Sequence, residues 1–392
     1  MGCRPNIVII ITDQERSHKH FPDGWARKNL RVHYDRLIGC KGEYGADRSS
    51  AVFNNAFTAT TECSPSRASL LTSSYPTEHG VVTTPGVLDP NSDVGLSTSG
   101  DGVDVPPTAT GQSQRPNLVR LLSEKNSKST DINANGYNVS WKGKWHLIHS
   151  NDPIILKSYG ATSPWNPPDA GHSLSLPYTL GGGLKYNHDG RFLRGHRRKF
   201  DVLMKQKTSK KESKKIGVSN VHHPKEEQEE GTESVFDFLS KQKLDPNDGS
   251  RAHPFCLVAS LVNPHDVWAS SCFSKLSDEE FYLETGYHPH DFESIPIDLP
   301  LSHSDDLLSK PSIQTLLKSH AVFGDLSDVI NNDEQLTSDA LRYIRFYAYL
   351  HKCVDDEIGS LLDELHATGQ MDNTVIIRLA DHGELGLCHA MR

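Results

Sequence analysis

Nowhere in the 392 residues is there an apolar run of the about eighteen or more that a membrane-crossing helix needs, so no membrane span is expected. A surplus of positive charge is missing as well. The 41 Lys and Arg stand against 50 Asp and Glu, a net charge of −9, and no long basic face is evident. That balance argues against nucleic acid as a partner. Cysteine is sparse and scattered. The seven residues lack the spacing of a metal site, and their odd number does not suit a disulfide framework, so a reducing, intracellular setting is the simplest inference. No leader peptide is legible ahead of Asn6-Ile7-Val8-Ile9-Ile10-Ile11, which already reads as a strand, and the expected location is cytoplasmic. Met1-Gly2-Cys3 begins like a myristoylation site, but Asn6 stands where that pattern has Ser or Thr.

What the chain does have is a set of short apolar runs, each ending in polar residues. Ile7 to Ile11 is rich in β-branched residues and continuous, which marks a strand buried on both faces of a parallel sheet. Residues 136–141, 254–262 and 373–379 read as the further strands. The best helical pattern runs from about Ser338 to Ala367, where Leu341, Ile344, Tyr347, Leu350, Val354, Ile358, Leu361 and Leu365 keep helical spacing and Gly369 closes the element. Alternating strands and helices predict an α/β fold, a doubly wound and mostly parallel sheet flanked by helices. Residues 83–114 and 150–181 read as loops, and the second suits a roof over a pocket. Basic clusters at 194–199 and 205–215, followed by acidic 225–230, predict a charged peripheral insertion at about 182–234 within one domain spanning 1–392.

The polar residues that close these runs carry the chemistry. Thr61-Glu62-Cys63-Ser64-Pro65-Ser66-Arg67-Ala68-Ser69-Leu70-Leu71-Thr72 places a cysteine just ahead of an expected helix start, with Ser64 as a cap, Pro65 in the first turn, and Leu70 and Leu71 opening an apolar face. A helix N-terminus offers free N–H groups and a positive dipole end, and Arg67 adds a planar fork of donors. Val52, Phe53, Ala56 and Phe57, just upstream, are core candidates. Asp13 and Gln14 follow the first strand, at the sheet edge where ligands gather in open α/β folds, and offer hard oxygens to a divalent cation. On the residues alone, Asp13 as the cap of a following helix stays equally open. Lys144 and His146 are two apart, so an extended backbone would aim both to one side. His265 follows a buried strand and a stiffening Pro264. Asp381 and His382 close the last strand.

Cys63-x-Pro65-Ser66-Arg67 followed by Leu71-Thr72 resembles the signature of the sulfatase family, within the alkaline phosphatase superfamily. Ser73 departs from it, where Gly is usual. Gly143-Lys144-Trp145-His146-Leu147 is similar to the family's second signature, and Asn263-Pro264-His265 and Ala380-Asp381-His382-Gly383 match later family positions in order. The Asp13-Gln14 pair resembles a subgroup with choline-sulfatase-like and phosphonate monoester hydrolase-like enzymes. The resemblance covers about residues 4–180 and 250–392.

It implies an alkaline phosphatase-like fold and hydrolysis of a sulfate monoester. Cys63 would be oxidised to formylglycine by a formylglycine-generating enzyme. The divalent cation would be calcium by family norm, with manganese or zinc as alternatives because of His382, held by Asp13, Gln14, the modified Cys63, Asp381 and His382. Arg67, Lys144 and His146 would bind the oxyanion, and His265 would assist the leaving alcohol of a small sulfated substrate. His79 is expected to be structural, and His389 pocket-adjacent. The sulfate-contacting Lys and the smaller C-terminal subdomain that follow in the family are not in this chain. A phosphonate or phosphate diesterase with the same nucleophile, a truncated non-catalytic sulfatase-like protein, and a Cys-His thiol hydrolase are the rival readings.

Overall fold

The computed structural model describes residues 4–30, 32–39, 50–83, 117–124, 136–147, 155–163, 233–242, 254–267, 277–279, 281, 287–318 and 333–391. Four strands form one parallel sheet: β1 (Asn6–Asp13), β2 (Asn138–Gly143), β3 (Phe255–Pro264) and β4 (Thr374–Ala380), in the order β2-β3-β1-β4. In register, Ile9 lies beside Val258 on one side and Ile377 on the other, and Ser140 lies beside Leu257. All four expected strands are present, shifted by one or two residues at their ends.

The period-two geometry of β1 divides its side chains between two layers. Val8 and Ile10 pack with Leu257 and Ala259 against Val354, Ile358 and Leu361 of the long helix (Asp333–Ala367) and against Phe238 and Leu239. Ile9 and Ile11 face the other way, onto Ala68 and Leu71 of the cysteine helix (Cys63–Thr72), Val119 and Trp141. Helices therefore cover both faces, which is why β1 and β3 read as unbroken apolar runs. β4 is less enclosed. Val375 and Ile377 are 48% and 44% exposed, and among the described residues β4 pairs on one side only.

The long helix begins at Asp333, five residues before its pattern predicts, and ends ahead of Gly369 at φ 70°. Its first half packs on a second core of Phe21, Leu30, Phe281, Phe292 and Ile297. Among the described residues no helix is long and apolar enough to cross a membrane.

Three expectations need correction. Val52, Phe53, Ala56 and Phe57 are exposed, Phe53 and Phe57 by 82% and 92%, so they are not core. Of the pair expected to open the apolar face, Leu71 is buried while Leu70 is exposed. Ser64 does not cap its helix. Cys63 is itself the first helical residue, after Glu62, and Ser64 Oγ donates instead to the carbonyl of His146 at 2.5 Å. The loop at 83–114 lies outside the described residues except Thr83, the one at 150–181 except 155–163, and the insertion except Glu233 and Ser234.

Candidate active site

Because the four strands run parallel, their carboxyl ends meet at one rim. β1 delivers Asp13, β2 leads into Lys144, β3 into His265 and β4 into Asp381. The cysteine helix points its N-terminus at the same place. Asp13, Cys63, Asp381 and His382 are all buried, and one ligand-type atom of each lies within 4.8 Å of the others. Cys63 Sγ sits 3.0 Å from His382 Nε2, 3.7 Å from Asp13 Oδ1 and 3.8 Å from Lys144 Nζ.

The two aspartates divide their oxygens. Oδ2 of each goes to a cation: Arg67 reaches Asp13 through a terminal nitrogen and Asp381 through Nε, both at 2.8 Å, and Lys144 Nζ is 2.8 Å from Asp13 Oδ2. Oδ1 of each faces the cluster. Asp381 Oδ1 accepts from the backbone N–H of His382 at 2.7 Å and of Gln14 at 3.2 Å. His382 Nε2 lies 3.9 Å from Asp13 Oδ1 and 3.8 Å from Asp381 Oδ1.

Arg67 is not turned toward open space. The second terminal nitrogen donates to Lys144 O and Ser260 Oγ, so each of its three nitrogens has a protein acceptor, and the residue is 1% exposed. The side chain locks acids in place. Lys144 is held equally firmly: its N–H donates to Ser260 O, and its carbonyl accepts from Arg67 and from Trp141 Nε1.

The extended backbone expected for Lys144 and His146 does not occur. β2 ends at Gly143 with φ 89°, and His146 has φ 58°. The turn between them is packed by Trp145, which is buried edge-on against Trp141 at 4.9 Å. Lys144 faces Asp13 and Cys63, and the His146 carbonyl anchors the cysteine helix through Ser64. His265 opens a short turn after the cis Asn263–Pro264 bond.

The electrostatics follow from burial among unlike charges. Burial alone would raise the Asp13 pKa, but Lys144, His265, Arg67 and His382 hold it well below the carboxylate range. Asp381 is raised, by burial and then by the negative charge of Asp13. Burial would lower His382, yet Asp381 and Cys63 beside it lift it well above the usual imidazole value. His265 is pushed down to about 3, by burial and then by the Lys144 ammonium, with Asp13 opposing. It is therefore neutral at pH 7.

Gln14 offers an observation that fits a cation. It is 2% exposed, and its backbone is in the left-handed region at φ 64°. Its side-chain nitrogen donates to Glu384 Oε2 at 2.5 Å and its backbone carbonyl accepts from Tyr347 at 2.5 Å, while the side-chain Oε1 has no hydrogen-bond partner among the described residues. A buried, unpaired carbonyl oxygen is costly. Asp13 Oδ1 and Asp381 Oδ1 are hard oxygens of the kind a divalent cation takes, Gln14 Oε1 is a third oxygen of that chemistry on the residue next to Asp13, and such an ion would draw the Asp381 pKa back down.

Sequence reasoning missed Ser260, Thr58, Ser66, Glu384 and Tyr347. Thr58 and Ser66 hydroxyls both donate to Asp381 O, at 2.9 and 2.5 Å, and fix the end of β4. Ser260 had a legible signal, a hydroxyl inside an otherwise apolar strand. Two histidines lie apart from the cluster's hydrogen bonds. His79 pairs with Ser69 Oγ and the Val81 N–H, a structural role. His389 lies against Asp305 at 3.1 Å.

A family model described as Sulfatase matches residues 5–387. A choline-sulfatase of Rhizobium meliloti (strain 1021) is 23% identical over 394 residues, covering 97% of this chain and 58% of its own length. An ulvan-active sulfatase of Formosa agariphila is 23% identical over 387 residues, covering 97% of this chain and 51% of its own length. The chain thus spans little more than half the length of these curated relatives. Among solved structures, a 2-O GAG sulfatase superposes with a TM-score of 0.53 at 16% identity, over 99% of this chain and 60% of that one, a likeness of fold. A family match over nearly the whole chain and a mostly parallel α/β sheet of the alkaline phosphatase-like kind agree: the chain belongs to the sulfatase family.

Proposed function

We propose that this chain carries the catalytic centre of a sulfuric ester hydrolase acting on a small sulfated substrate. One observation carries the reading: Cys63 stands buried at a helix N-terminus, with His382, Lys144 and two carboxylates converging on its sulfur. Once oxidised to formylglycine by its generating enzyme, this position would supply an aldehyde hydrate whose hydroxyl attacks sulfur. A bound divalent cation, calcium by the oxygen set and zinc or manganese if His382 joins, would polarise a sulfate oxygen.

The remaining steps belong to the chain's own residues. Arg67 holds Asp13 and Asp381 at fixed separation, so that their Oδ1 atoms and Gln14 Oε1 face the ion. Lys144, a buried ammonium beside Cys63, neutralises negative charge developing on the sulfate oxygens. His146 lies in the same turn and contributes to the oxyanion pocket. His265 is neutral until a substrate arrives. A bound sulfate ester brings negative charge that favours its protonated form, and the proton then passes to the leaving alkoxide oxygen.

The test is mass spectrometry of the peptide spanning Cys63 in protein from a native source. Formylglycine is expected, and an intact thiol throughout would overturn the mechanism. The 3.0 Å contact between Cys63 Sγ and His382 Nε2 supports a second reading, a thiol hydrolase. That reading requires stoichiometric alkylation of Cys63 by iodoacetamide, whereas formylglycine reacts with hydrazides. Paired assays on a sulfate monoester and a phosphate diester separate the sulfatase from a diesterase with the same nucleophile.

A further inference from the structure

One turn beyond Asp13 the chain assembles a second group of ligand atoms that the proposed reaction does not use. Glu15, His18 and His351 place one ligand atom each within 4.8 Å of one another. His18 Nε2 is 3.2 Å from Glu15 Oε1, and His351 Nδ1 is 3.9 Å from the same oxygen. An ion with tetrahedral ligands at about 2.0–2.1 Å sets neighbouring ligand atoms roughly 3.3–3.5 Å apart, so these two spacings bracket the required one.

A second, independent observation points the same way. The His351 side chain is wholly buried, and neither of its ring nitrogens has a hydrogen-bond partner among the described residues. Its ring is fixed edge-on by Phe21 at 4.9 Å and by Tyr347 at 4.6 Å, with Nδ1 on the Glu15 side. Buried imidazoles ordinarily find a partner, and a metal is one. Burial pushes the His351 pKa down to about 3, so the ring is in the neutral form that ligates.

We propose that Glu15, His18 and His351 form a second cation site, selective for a borderline transition ion such as zinc over calcium or magnesium. Selectivity follows from the surroundings. Arg378 lies 2.6 Å from Glu15 Oε1, and Thr12 Oγ1 donates to Glu15 Oε2 at 2.5 Å. Arg378 offsets the one negative charge, which removes most of the attraction for a hard cation. Two imidazoles remain, and imidazole suits zinc, cobalt or nickel. A carboxylate oxygen carries two lone pairs, so Arg378 can keep one and orient the group for the ion. His18 is partly exposed and gives the route in. A bound ion would tie the turn after β1 to the long helix, behind the Tyr347 hydroxyl that holds Gln14.

The test uses the full chain carrying Cys63→Ala, which removes the sulfur ligand of the first cluster, in excess calcium to occupy its oxygens. Cobalt(II) is titrated as a coloured stand-in for zinc. Stoichiometric uptake with visible ligand-field absorption is expected, lost when zinc is added. His18→Ala and His351→Gln should each weaken uptake about tenfold or more, since even outer-shell losses cost about 10–100-fold. His18 is partly exposed while His351 is wholly buried, so His18→Ala keeps the test decisive if His351→Gln fails to fold. No cobalt uptake, or uptake unchanged in a folded His18→Ala protein, would overturn the proposal. Neither result bears on Cys63 oxidation, so the two readings fail separately.

Discussion

Asp13 and Asp381, from opposite ends of the sequence, share a single guanidinium: Arg67 contacts Oδ2 of each at 2.8 Å. The two carboxylates would repel one another across a buried gap if that bridge were absent. Planarity matters here, because Arg67 reaches both acids through two different nitrogens of one rigid plane while its third still caps Lys144 O and Ser260 Oγ.

Replacing Arg67 should therefore do more than remove a charge. Arg67→Ala leaves two buried acids without their bridge, and a loss of about 3–5 kcal/mol in urea unfolding is expected. Arg67→Lys retains the charge but cannot span both acids. Turnover of an active, formylglycine-bearing form should fall by about 10²–10³ in both variants. Near-normal turnover in Arg67→Lys would show that the fork geometry is dispensable.

Calcium should stabilise the protein through Gln14. At a free concentration about 100 times Kd, a single site adds about 2.7 kcal/mol. The thermal midpoint should rise with calcium, fall with a chelator and recover on readdition. Gln14→Ala, which deletes the orphaned Oε1, should shift the calcium titration to higher concentration. A titration indifferent to this substitution would remove Gln14 from the ligand set.

Asp266 gives a pH dependence of known sign. Burial raises its pKa to about 6, although Tyr287 and Asn263 hydrogen bonds pull the other way. A carboxyl whose folded pKa exceeds its unfolded value of about 3.9 binds its proton more tightly when folded. Its stabilising contribution is full below about pH 4 and is lost as pH rises through about 6. Asp266→Asn keeps the shape without the titration, so the stability difference between mutant and parent should grow by up to about 3 kcal/mol from pH 4 to pH 7. Urea midpoints at the two pH values measure it, and parallel shifts of both proteins would refute the assignment.

Ser73 closes the cysteine helix in the left-handed region, at φ 56° and ψ 30°, with its N–H donating to Ser69 O. A side chain is strained there and glycine is not. Ser73→Gly should raise stability by about 1 kcal/mol, read as a higher unfolding midpoint with unchanged activity. A lower midpoint would mean that the Ser73 side chain makes a compensating contact.

β1 and β3 were legible because each is a nearly continuous apolar run, and two-sided burial requires that; β2 and β4 are more mixed, and β4 is half exposed on one face. The long helix was legible because its 3.6-residue pattern extends over many turns. Val52, Phe53 and Phe57 misled because apolarity states a preference for burial without saying what is available to bury against. The backbone expected between Lys144 and His146 misled for a different reason. A two-residue spacing puts Lys144 and His146 on one face only where the chain is extended, and Gly143 and His146 both leave that conformation.

Sequence by itself determined the order of strands along the chain, the polar residues that end them and the cysteine with its arginine one turn on. Those are local matters of side-chain type and spacing. Only the tertiary structure decided that the arginine faces two acids, that His265 is neutral, that Gln14 keeps an unpaired oxygen, and that His18 and His351 meet at Glu15. Each of these depends on which distant group fills the space beside a buried atom. Parallel pairing across β2-β3-β1-β4 sets that neighbour, and no stretch of the chain encodes it alone.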